Sequence, residues 1–493
     1  LARKAKTPQE RFTALFFLNR FKAPDALVAL EGLTAADAKT WPRHLHLEAQ
    51  IATARINGGE ISASIQTFLE GLKKAGKVDP LRAQAAQLRL VMAGKEKELH
   101  PLVESTPGAV LSLMDSFNRG SGEVKAAMLN QAGTKPLGLL PQLGIKASSS
   151  SSLVQLMEQR LTEGAPDGVP ISWVLPAATS AIPSIQQSGL GYLGKLGKPA
   201  LGTALSPQTD PVFQAALLPS LRALDHAAAD ALRAKLLAGS SAVARAAAID
   251  DLPSAPADLE ALAKRCFDDS DLESALELFS SLDRWKLTPE QQKAVLTPFL
   301  QHPDWGWRYQ AWLQLRKADP TAPWPAPPSE RPMDKALLAE ATKLAERGKP
   351  VRLRITFSGK RTVTLKLDPT VAPMNVANLV LLAKKRFFDG HRVPRVVPDF
   401  VVQMGSPLDT MDGGPGYSVR CEDSLAWYGP GSVGMALAGK DTGGCQFFIT
   451  TNATPHLTGK YTRLGVVENP DHDLKILDGL ELGAKIESVR VVE

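Results

Sequence analysis

The sequence predicts a multidomain protein in which an all-α region precedes a mostly-β domain. Residues 1–317 are rich in alanine and leucine, and their apolar residues recur at helical spacing. Residues 320–332 contain six prolines, and from Val351 onward polar and apolar residues alternate as they do in half-buried strands. Because 493 residues are too many for one compact core, we divide the chain into a helical region (1–317), a linker (318–347) and a C-terminal domain (348–493).

Two segments of the helical region carry the signals of a helix start. Thr7-Pro8-Gln9-Glu10 and Thr288-Pro289-Glu290-Gln291 each place a threonine at the N-cap, a proline at the first helical position and Glu or Gln three residues after the cap. In such a capping box the two side chains accept hydrogen bonds from backbone N–H groups that have no partner inside the helix. We expect a helix to begin at each threonine.

Three segments near the end of the helical region share one apolar pattern. Ala244–Leu252, Ser274–Leu282 and Trp307–Leu315 each end in leucine and carry apolar residues three and four positions before it. This spacing puts an apolar stripe on each helix, and a lone helix cannot bury it, so we expect the helices to stack into an α-solenoid. The region resembles degenerate HEAT-type repeats. Tetratricopeptide-type helix pairs and an irregular helical bundle are the alternatives.

Two stretches interrupt this helical pattern around residues 147–204. Five serines follow Ala147, and Gly164–Ala204 is rich in glycine and proline, so we expect loops that divide the region into two blocks. Gly189–Lys195 matches the pattern G-x-G-x-x-G, but no strand pattern precedes it and no hydroxyl residue follows its lysine. We therefore predict a flexible loop there and no phosphate site.

The linker and the start of the C-terminal domain contain recognisable elements. The prolines of the linker predict a stiff, extended spacer, and Met333–Arg347 reads as one short helix. Two alternating runs follow, Val351–Phe357 and Thr362–Leu367, and a Ser-Gly pair between them predicts a turn. Val371–Phe387 contains a helix that begins after a proline, and the rest of the domain reads as short strands and glycine-rich turns.

The stretch Phe388–Ile449 carries the most specific motifs of the chain. It contains FDGHRVPRVVPDFVVQMGSP, then GGPGY, then GSVGMALAGKDTGGCQFFIT. In their order and approximate spacing these blocks resemble the centre of the cyclophilin family of peptidyl-prolyl cis/trans isomerases, and the likeness extends from Val351 to Val492. The resemblance implies a closed eight-stranded β-barrel with capping helices. It also implies an enzyme that isomerises X-Pro bonds in proline-containing polypeptides.

The chemistry of this reaction places few demands on a protein. An X-Pro bond is a tertiary amide, and a barrier of about 18–20 kcal/mol opposes its rotation. Because no bond is broken, no nucleophile, metal or cofactor is needed; the site must bind the twisted amide better than either planar form. An apolar pocket for the proline ring, a donor near the prolyl nitrogen and anchors for the peptide backbone suffice. Arginine suits the donor's role because its guanidinium is rigid and always charged.

The family motif assigns these parts to particular residues. Arg395, three residues before Pro398, corresponds to the catalytic arginine, and Gln403 corresponds to the glutamine that anchors both peptide and arginine. Gln446 matches an internal polar contact of the family. The substrate-binding positions that the resemblance implies are Phe400, Val401, Ala436, Leu437, Ala438, Phe448, His456, Leu457 and Tyr461.

Several positions depart from the family pattern. Val393-Pro394 replaces the usual Phe-His before the arginine, and the proline should stiffen that approach. Met404 stands where a glycine is usual and should add bulk beside Gln403. His456 replaces the tryptophan of many members, so we expect weak cyclosporin binding. Because the arginine and the glutamine are retained, we expect activity, either slow or substrate-selective.

Composition and charge argue against nucleic-acid binding, a disulfide scaffold, a metal site and a transmembrane segment. The net charge is +6, and half of it lies from Glu346 onward, where 19 Lys and Arg face 16 Asp and Glu, so no basic patch for nucleic acid is predicted. Three cysteines without a CxxC pair, and the isolated pair His44 and His46, predict neither a disulfide scaffold nor a metal site. No run of 18 apolar residues is present, so no transmembrane segment is predicted.

We interpret the chain as a cyclophilin-type isomerase that assists protein folding or assembly, with helical repeats that bind a partner or client protein. The alternative is a catalytically idle proline-peptide adaptor within a structural or envelope assembly. Trp305, Trp307 and Trp312 fit the core and cap of the helical stack better than a ligand-facing patch. The chain opens at Leu1 without a methionine, and its helices and loops have a bacterial character. We therefore expect an exported or envelope-associated bacterial protein, with the cytoplasm as the alternative.

Overall fold

The computed structural model describes residues 171–196, 210–325, 332–397 and 400–492, together with six residues between 7 and 17. This part of the chain contains twelve α-helices, numbered α1–α12 below, and eight strands, β1–β8, which form one sheet. His44, His46 and the serine run after Ala147 lie outside the described residues.

In the part that is described, the helical region forms nine helices. They are α1 Ile171–Ala178, α2 Pro183–Lys195, α3 Pro211–Leu224, α4 His226–Ala238, α5 Ala242–Asp250, α6 Leu259–Asp268, α7 Glu273–Arg284, α8 Pro289–Leu296 and α9 Trp305–Ala318. At the start of α8, Thr288 Oγ1 accepts from Gln291 N at 3.3 Å and Gln291 Oε1 accepts from Thr288 N at 2.9 Å. Thr7 and Glu10 make the same pair of bonds at 3.2 Å each. Both predicted capping boxes are confirmed.

The three segments with a shared apolar pattern lie on α5, α7 and α9, and their stripes are buried. Ile249, Leu278, Leu282, Ala311 and Leu315 are at most 3% exposed and belong to one apolar cluster. α5 packs against α7, and α7 packs against α9, so a neighbouring helix covers each stripe. The helical character of the described part of this region is confirmed, while the assignment to HEAT-type repeats stays a prediction.

The flexible loop expected at Gly189–Lys195 is wrong, because these residues form the second half of α2. A Cβ at Gly189 would lie under 3.0 Å from backbone atoms of Ala178 in α1, and a Cβ at Gly194 would lie equally close to Ser220 in α3. The glycines therefore let three helices approach closely, and this packing outweighs the low helix propensity of glycine. The longer loop expected over 164–204 is likewise interrupted by α1 and α2.

The beginning of the proline-rich segment lies against α9. Trp312 Nε1 donates to the Ala322 oxygen at 3.3 Å, and the Trp324 ring packs edge-on against Trp312 with centroids 4.4 Å apart. The predicted short helix is confirmed as α10, Pro332–Arg347. Three of its apolar side chains enter the main core beneath the sheet, namely Leu337, Ala341 and Leu344. α10 therefore packs as part of the C-terminal domain.

The C-terminal domain is built on one antiparallel sheet. Its strands are β1 Val351–Phe357, β2 Arg361–Leu367, β3 Arg395–Val397, β4 Val401–Met404, β5 Ser432–Met435, β6 Phe447–Thr450, β7 Arg463–Val467 and β8 Ile486–Val492. Their order in the sheet is β3-β4-β6-β5-β7-β2-β1-β8. Two helices pack on the sheet, α11 Pro373–Lys384 against β8 and α12 Pro470–Asp478 against β2. The predicted first two strands and the helix after them are confirmed.

The predicted closed barrel is not confirmed, because the sheet is curled but open. Its edge strands, β3 and β8, do not pair with each other. The segments that precede them meet at an isolated bridge in which Arg392 lies opposite Lys485. Val393 N donates to the Ala484 oxygen at 2.9 Å and Gly483 N donates to the Val393 oxygen at 2.8 Å, but this contact does not extend into β3. The inner face of the curl, with α10 and α11, encloses the main apolar core.

Buried polar contacts join the helical region to the C-terminal domain. Asp304, the N-cap of α9, accepts from Ser418 N at 2.8 Å and also from the Ser418 hydroxyl. Trp305 Nε1 donates to Asp441 Oδ2 at 2.7 Å, and the Arg420 guanidinium lies 4.4 Å from the Trp305 ring centroid. Asp304, Trp305 and Asp441 are at most 6% exposed. Trp305, which we predicted in the core and cap of the helical stack, is therefore an interface residue.

Candidate active site

Arg395 and Gln403 face each other across β3 and β4. The two strands are antiparallel, and their register places Arg395 directly opposite Gln403, so the two side chains lie on the same face of the sheet. Arg395 Nη1 donates to Gln403 Oε1 at 3.2 Å. The structure thus brings the two predicted catalytic residues into direct contact.

A chain of hydrogen bonds fixes the orientation of the Gln403 amide. Gln403 Nε2 donates to Gln446 Oε1 at 3.0 Å, and Gln446 Nε2 donates to the carbonyl oxygens of Met411 at 3.0 Å and Gly413 at 3.1 Å. Because two carbonyls occupy the amino group of Gln446, its Oε1 must point to Gln403. Gln403 must then present its own Oε1 to Arg395. Gln403 is 6% exposed, so water competes little for these bonds.

An aromatic cluster adjoins Arg395. Its buried members are Val401, Tyr428, Phe448 and Leu457, and Val397, Phe400, Ala436 and Tyr461 pack against them. Phe448 lies opposite Gln403 in the register of β4 and β6, which places this cluster beside the amide. His456 stacks on Phe400 with centroids 5.6 Å apart, and the Arg395 guanidinium lies 5.9 Å from the Phe400 ring centroid. The guanidinium therefore lies next to the aromatic rings of the cluster.

The two faces of β4 serve different purposes. Val401 belongs to the aromatic cluster, whereas Val402 and Met404 belong to the main core, because successive residues of a strand point to opposite faces. Met404 is fully buried in that core. The expectation that Met404 adds bulk beside Gln403 is therefore wrong, since its side chain fills the inside of the curl on the opposite face.

Two residues that hold the aromatic cluster in place were not predicted from the sequence. Tyr428 is fully buried, with its ring 5.8 Å from Phe448, and its hydroxyl donates to the Thr462 oxygen at 3.1 Å. Burial raises the pKa of Tyr428, so the hydroxyl stays protonated and remains a donor. Gly434 lies opposite Phe448 in the register of β5 and β6, and a Cβ there would lie under 3.0 Å from both aromatic side chains. Only an isolated tyrosine and a strand glycine marked these positions in the sequence.

The segment after β5 borders a hollow beside Gln403. Ala436 N donates to the Gln446 oxygen at 3.0 Å, which ties this segment to the same glutamine that orients Gln403. Ala436, Leu437 and Ala438 line a cavity of about 270 Å³ together with Gln403 and Gln446. The predicted site residues thus lie in the aromatic cluster, in the Arg395–Gln403 pair, or along this cavity.

The described residues include three cysteines but no metal-binding cluster. Within the described ranges, no group of three His, Cys, Asp or Glu side chains is placed to hold a metal ion. Cys266, Cys421 and Cys445 are free thiols, and burial raises the pKa of Cys266 to about 12 and that of Cys421 to about 11. These thiols therefore stay protonated near neutral pH. None of the helices that are described is both long and apolar enough to span a bilayer.

Comparison with known proteins places the site in a family. Residues 352–492 match the family model described as cyclophilin type peptidyl-prolyl cis-trans isomerase/CLD. A peptidyl-prolyl cis-trans isomerase of Synechococcus elongatus is 42% identical over 133 residues, which are 27% of this chain and 91% of that protein. One from Helicobacter pylori is 40% identical over 134 residues, which are 27% of this chain and 82% of that protein.

A third relative matches this chain over a similar number of residues. Peptidyl-prolyl cis-trans isomerase B of Bacillus subtilis is 41% identical over 131 residues, which are 26% of this chain and 90% of that protein. The matched region contains the curled sheet, the Arg395–Gln403 pair and the aromatic cluster, and it excludes the helical region. The chain belongs to the cyclophilin family of peptidyl-prolyl cis-trans isomerases.

Proposed function

We propose that the C-terminal domain isomerises X-Pro bonds in polypeptides with Arg395 as its electrostatic donor and Gln403 as the residue that orients it. The observation that carries the proposal is the hydrogen bond from Arg395 to Gln403, which lies beside the aromatic cluster that contains Phe448. A proline ring seated on Phe448 would bring the prolyl nitrogen to the guanidinium. Phe400 and Leu457 would enclose the ring, and His456 and Tyr461 would complete the rim.

The catalytic effect follows from the difference between the planar and the twisted amide. In the twisted form the nitrogen becomes pyramidal and its lone pair leaves the carbonyl, so a cationic donor binds this form better than either planar form. Gln403 holds the guanidinium in place before substrate arrives, which saves the cost of ordering it during the reaction. The backbone of Ala436–Ala438 would anchor the peptide on the far side of Gln403.

Replacing Arg395 tests the catalytic assignment. We expect R395A to lower kcat/KM for a short Ala-Pro peptide by about 10²–10³-fold, as loss of one preorganised donor does elsewhere. NMR exchange spectroscopy with the full chain measures this. R354A is the matched control, because Arg354 is an exposed arginine on β1 and should leave kcat/KM unchanged. Equal exchange in R395A and the unmutated chain would contradict the assignment, and peptide binding without exchange in both would favour the idle adaptor.

We also propose that the protein assists folding or assembly and that its helical region holds the client or a partner. The stacked helices α5, α7 and α9, and their polar junction with the C-terminal domain, support a role in positioning. In a refolding reaction limited by proline isomerisation, substoichiometric full chain should speed the slow phase, while R395A should not. A slow phase that the unmutated chain leaves unchanged would count against the folding role.

A further inference from the structure

The loop that follows β4 carries the groups that orient Gln446. The carbonyl oxygens of Met411 and Gly413 accept from Gln446 Nε2 at 3.0 Å and 3.1 Å. The two ends of a glutamine amide have the same shape and differ only in their hydrogen bonds, so these two carbonyls decide which end of Gln446 faces Gln403. The orientation of the amide therefore depends on where this loop lies.

Displacement of this loop would reach the guanidinium of Arg395 through the two glutamines. Without the Gly413 carbonyl, Gln446 would lose one of the two bonds that orient it, and a turned amide would present its amino group to Gln403. Gln403 would then have to turn as well, and its amino group would face Arg395, whose guanidinium has only donors to offer. Three hydrogen bonds in sequence thus connect the Gly413 carbonyl to the Arg395 guanidinium.

Gly413 is held from outside the family domain. It is buried, and its φ of +89° is a backbone conformation that favours glycine. A buried backbone N–H needs an acceptor, and Glu273 Oε1, at the start of α7, accepts from Gly413 N at 2.9 Å. Asp271 Oδ1 accepts from Gly416 N at 3.3 Å, so the chain around the start of α7 contacts the loop at two points.

The helix that carries Glu273 is firmly packed. Leu278 and Leu282 of α7 are fully buried in the core of the helical region, and α7 packs against both α5 and α9. A side chain on a packed helix holds its partner more precisely than a side chain on a loop does. Glu273 therefore fixes Gly413 relative to a rigid part of the molecule.

We infer that Glu273 is a positioning residue for the isomerase reaction. By holding Gly413 it fixes the amide of Gln446, and through Gln446 it fixes the amide of Gln403 and the guanidinium of Arg395. Glu273 acts only through these groups and does not touch the substrate. The inference rests on the proposed function of the Arg395 site. It goes further in assigning part of catalysis to the helical region, which lies outside the family match at 352–492.

Two substitutions of similar size test this role in the full chain. Methionine and glutamine have side chains about as long as glutamate, but only glutamine carries an oxygen that accepts well from Gly413 N. We expect E273M to lower kcat for a short Ala-Pro peptide about three- to tenfold, the factor that corresponds to one hydrogen bond. KM should change by less than about twofold, because the lost interaction acts in the transition state. E273Q should keep kcat within about twofold of the unmutated chain, since its bond to Gly413 N remains.

NMR exchange at a series of peptide concentrations gives kcat and KM, and Q310A is the control for a loosened junction. Gln310 Nε2 of α9 donates to the Lys440 oxygen at 2.6 Å, so Q310A also removes a bond between the helical region and the C-terminal domain. This bond does not involve the loop that orients Gln446. We therefore expect Q310A to leave kcat unchanged.

A double substitution tests whether Glu273 acts through the glutamines. Once Gln403 is replaced by alanine, the hydrogen-bond chain no longer reaches Arg395. Residues that act through one network have non-additive effects. Addition of E273M to Q403A should therefore change kcat by less than about twofold, whereas general damage to the fold would lower kcat by the same factor in both backgrounds.

The outcomes separate the positioning role from the enzyme. Equal kcat for E273M and E273Q, in a protein whose turnover still depends on Arg395, overturns the positioning role alone. A full loss on adding E273M to Q403A, or an equal loss in Q310A, does the same. Thermal unfolding shows whether E273M is folded; if it is not, E273A takes its place with the same expectations, because alanine favours a helix. Absence of turnover by the unmutated chain overturns the proposed function as well.

Discussion

The Phe448 ring can pack where it does because the residue opposite it on β5 has no side chain. Gly434 leaves the space that the Phe448 ring and the Tyr428 hydroxyl occupy. Tyr428 is itself fixed by its hydrogen bond to the Thr462 oxygen. The position of Phe448 is thus set by a glycine and a tyrosine.

Adding one methyl group at Gly434 tests this account. We expect G434A to destabilise the protein by about 1–3 kcal/mol, since it overpacks a site where a Cβ would lie under 3.0 Å from two aromatic side chains. Urea denaturation measures the loss. G191A is the matched control: apart from its two chain neighbours and the backbone of its own helix, no atom lies within 4 Å of a Cβ at Gly191 in α2. Alanine favours a helix, so this variant should be neutral or stabilised. Equal effects of the two substitutions would contradict the account.

Contacts between individual residues explain why the motifs in Phe388–Ile449 were informative. Arg395, Gln403 and Phe448 meet because two strand registers place them side by side, and a three-residue and a four-residue strand suffice for that. The motif letters therefore predicted the contact before any fold was known. They did not predict where Met404 points, because only the curl of the sheet decides which face of β4 is interior.

At the scale of elements, α7 carries the most consequential contact with the C-terminal domain. It begins at Glu273, whose carboxylate accepts from Gly413 N, while Asp271 and Asp412 lie near enough to influence its ionisation. With its pKa raised to about 7, Glu273 stays largely protonated in the folded protein at mildly acidic pH. In the unfolded chain the same group has its ordinary pKa of 4.5.

The sign of the pH dependence follows from this difference. A raised pKa in the folded state gives stability that is fully present below about pH 4.5 and is lost as the pH rises through about 7. The loss is at most about 3 kcal/mol in the free energy of unfolding. E273Q cannot ionise, so its stability relative to the unmutated chain should rise between pH 4.5 and pH 8. Denaturant unfolding across that range measures the difference, with E346Q as the control. A difference independent of pH would refute the expected ionisation.

Local sequence patterns predicted the elements whose stabilising contacts lie within a few residues of each other. They did not predict the helix that depends on packing against its neighbours. The capping box at Thr288 and the alternation in β1 are complete within a few residues, so both were predicted from the sequence. α2 is different, because its glycines are poor helix formers taken alone. They occur in a helix because α1 and α3 press against them, and no local pattern records those neighbours.

At the scale of the whole molecule, we expect the C-terminal domain to begin at α10. We assigned 318–347 to a proline-rich linker and a short helix, and this helix, α10, buries Leu337, Ala341 and Leu344 in the core beneath the sheet. Loss of one large buried side chain costs about 2–5 kcal/mol, and removal of the whole helix should cost more than a typical domain can lose.

Two truncations test this boundary. We expect the fragment 332–493 to unfold cooperatively and to isomerise a short Ala-Pro peptide. The fragment 348–493, which lacks α10, should melt at a much lower temperature or fail to fold. Thermal unfolding followed by circular dichroism compares the two, and NMR exchange reports activity. Equal melting temperatures would contradict the role of α10, and a folded but inert 332–493 would contradict an autonomous isomerase domain.

Motif spacing was enough to predict which residues meet beside Arg395, whereas only the packing of the two regions set what borders them. Arg395, Gln403 and Phe448 stand in short motifs whose spacing fixes their contacts along neighbouring strands. The contact between Glu273 and Gly413 is of another kind, since it joins residues that are 140 positions apart in the chain. Such a contact leaves no periodicity or spacing in the sequence, because it depends on how stacked helices and a curled sheet pack as finished bodies.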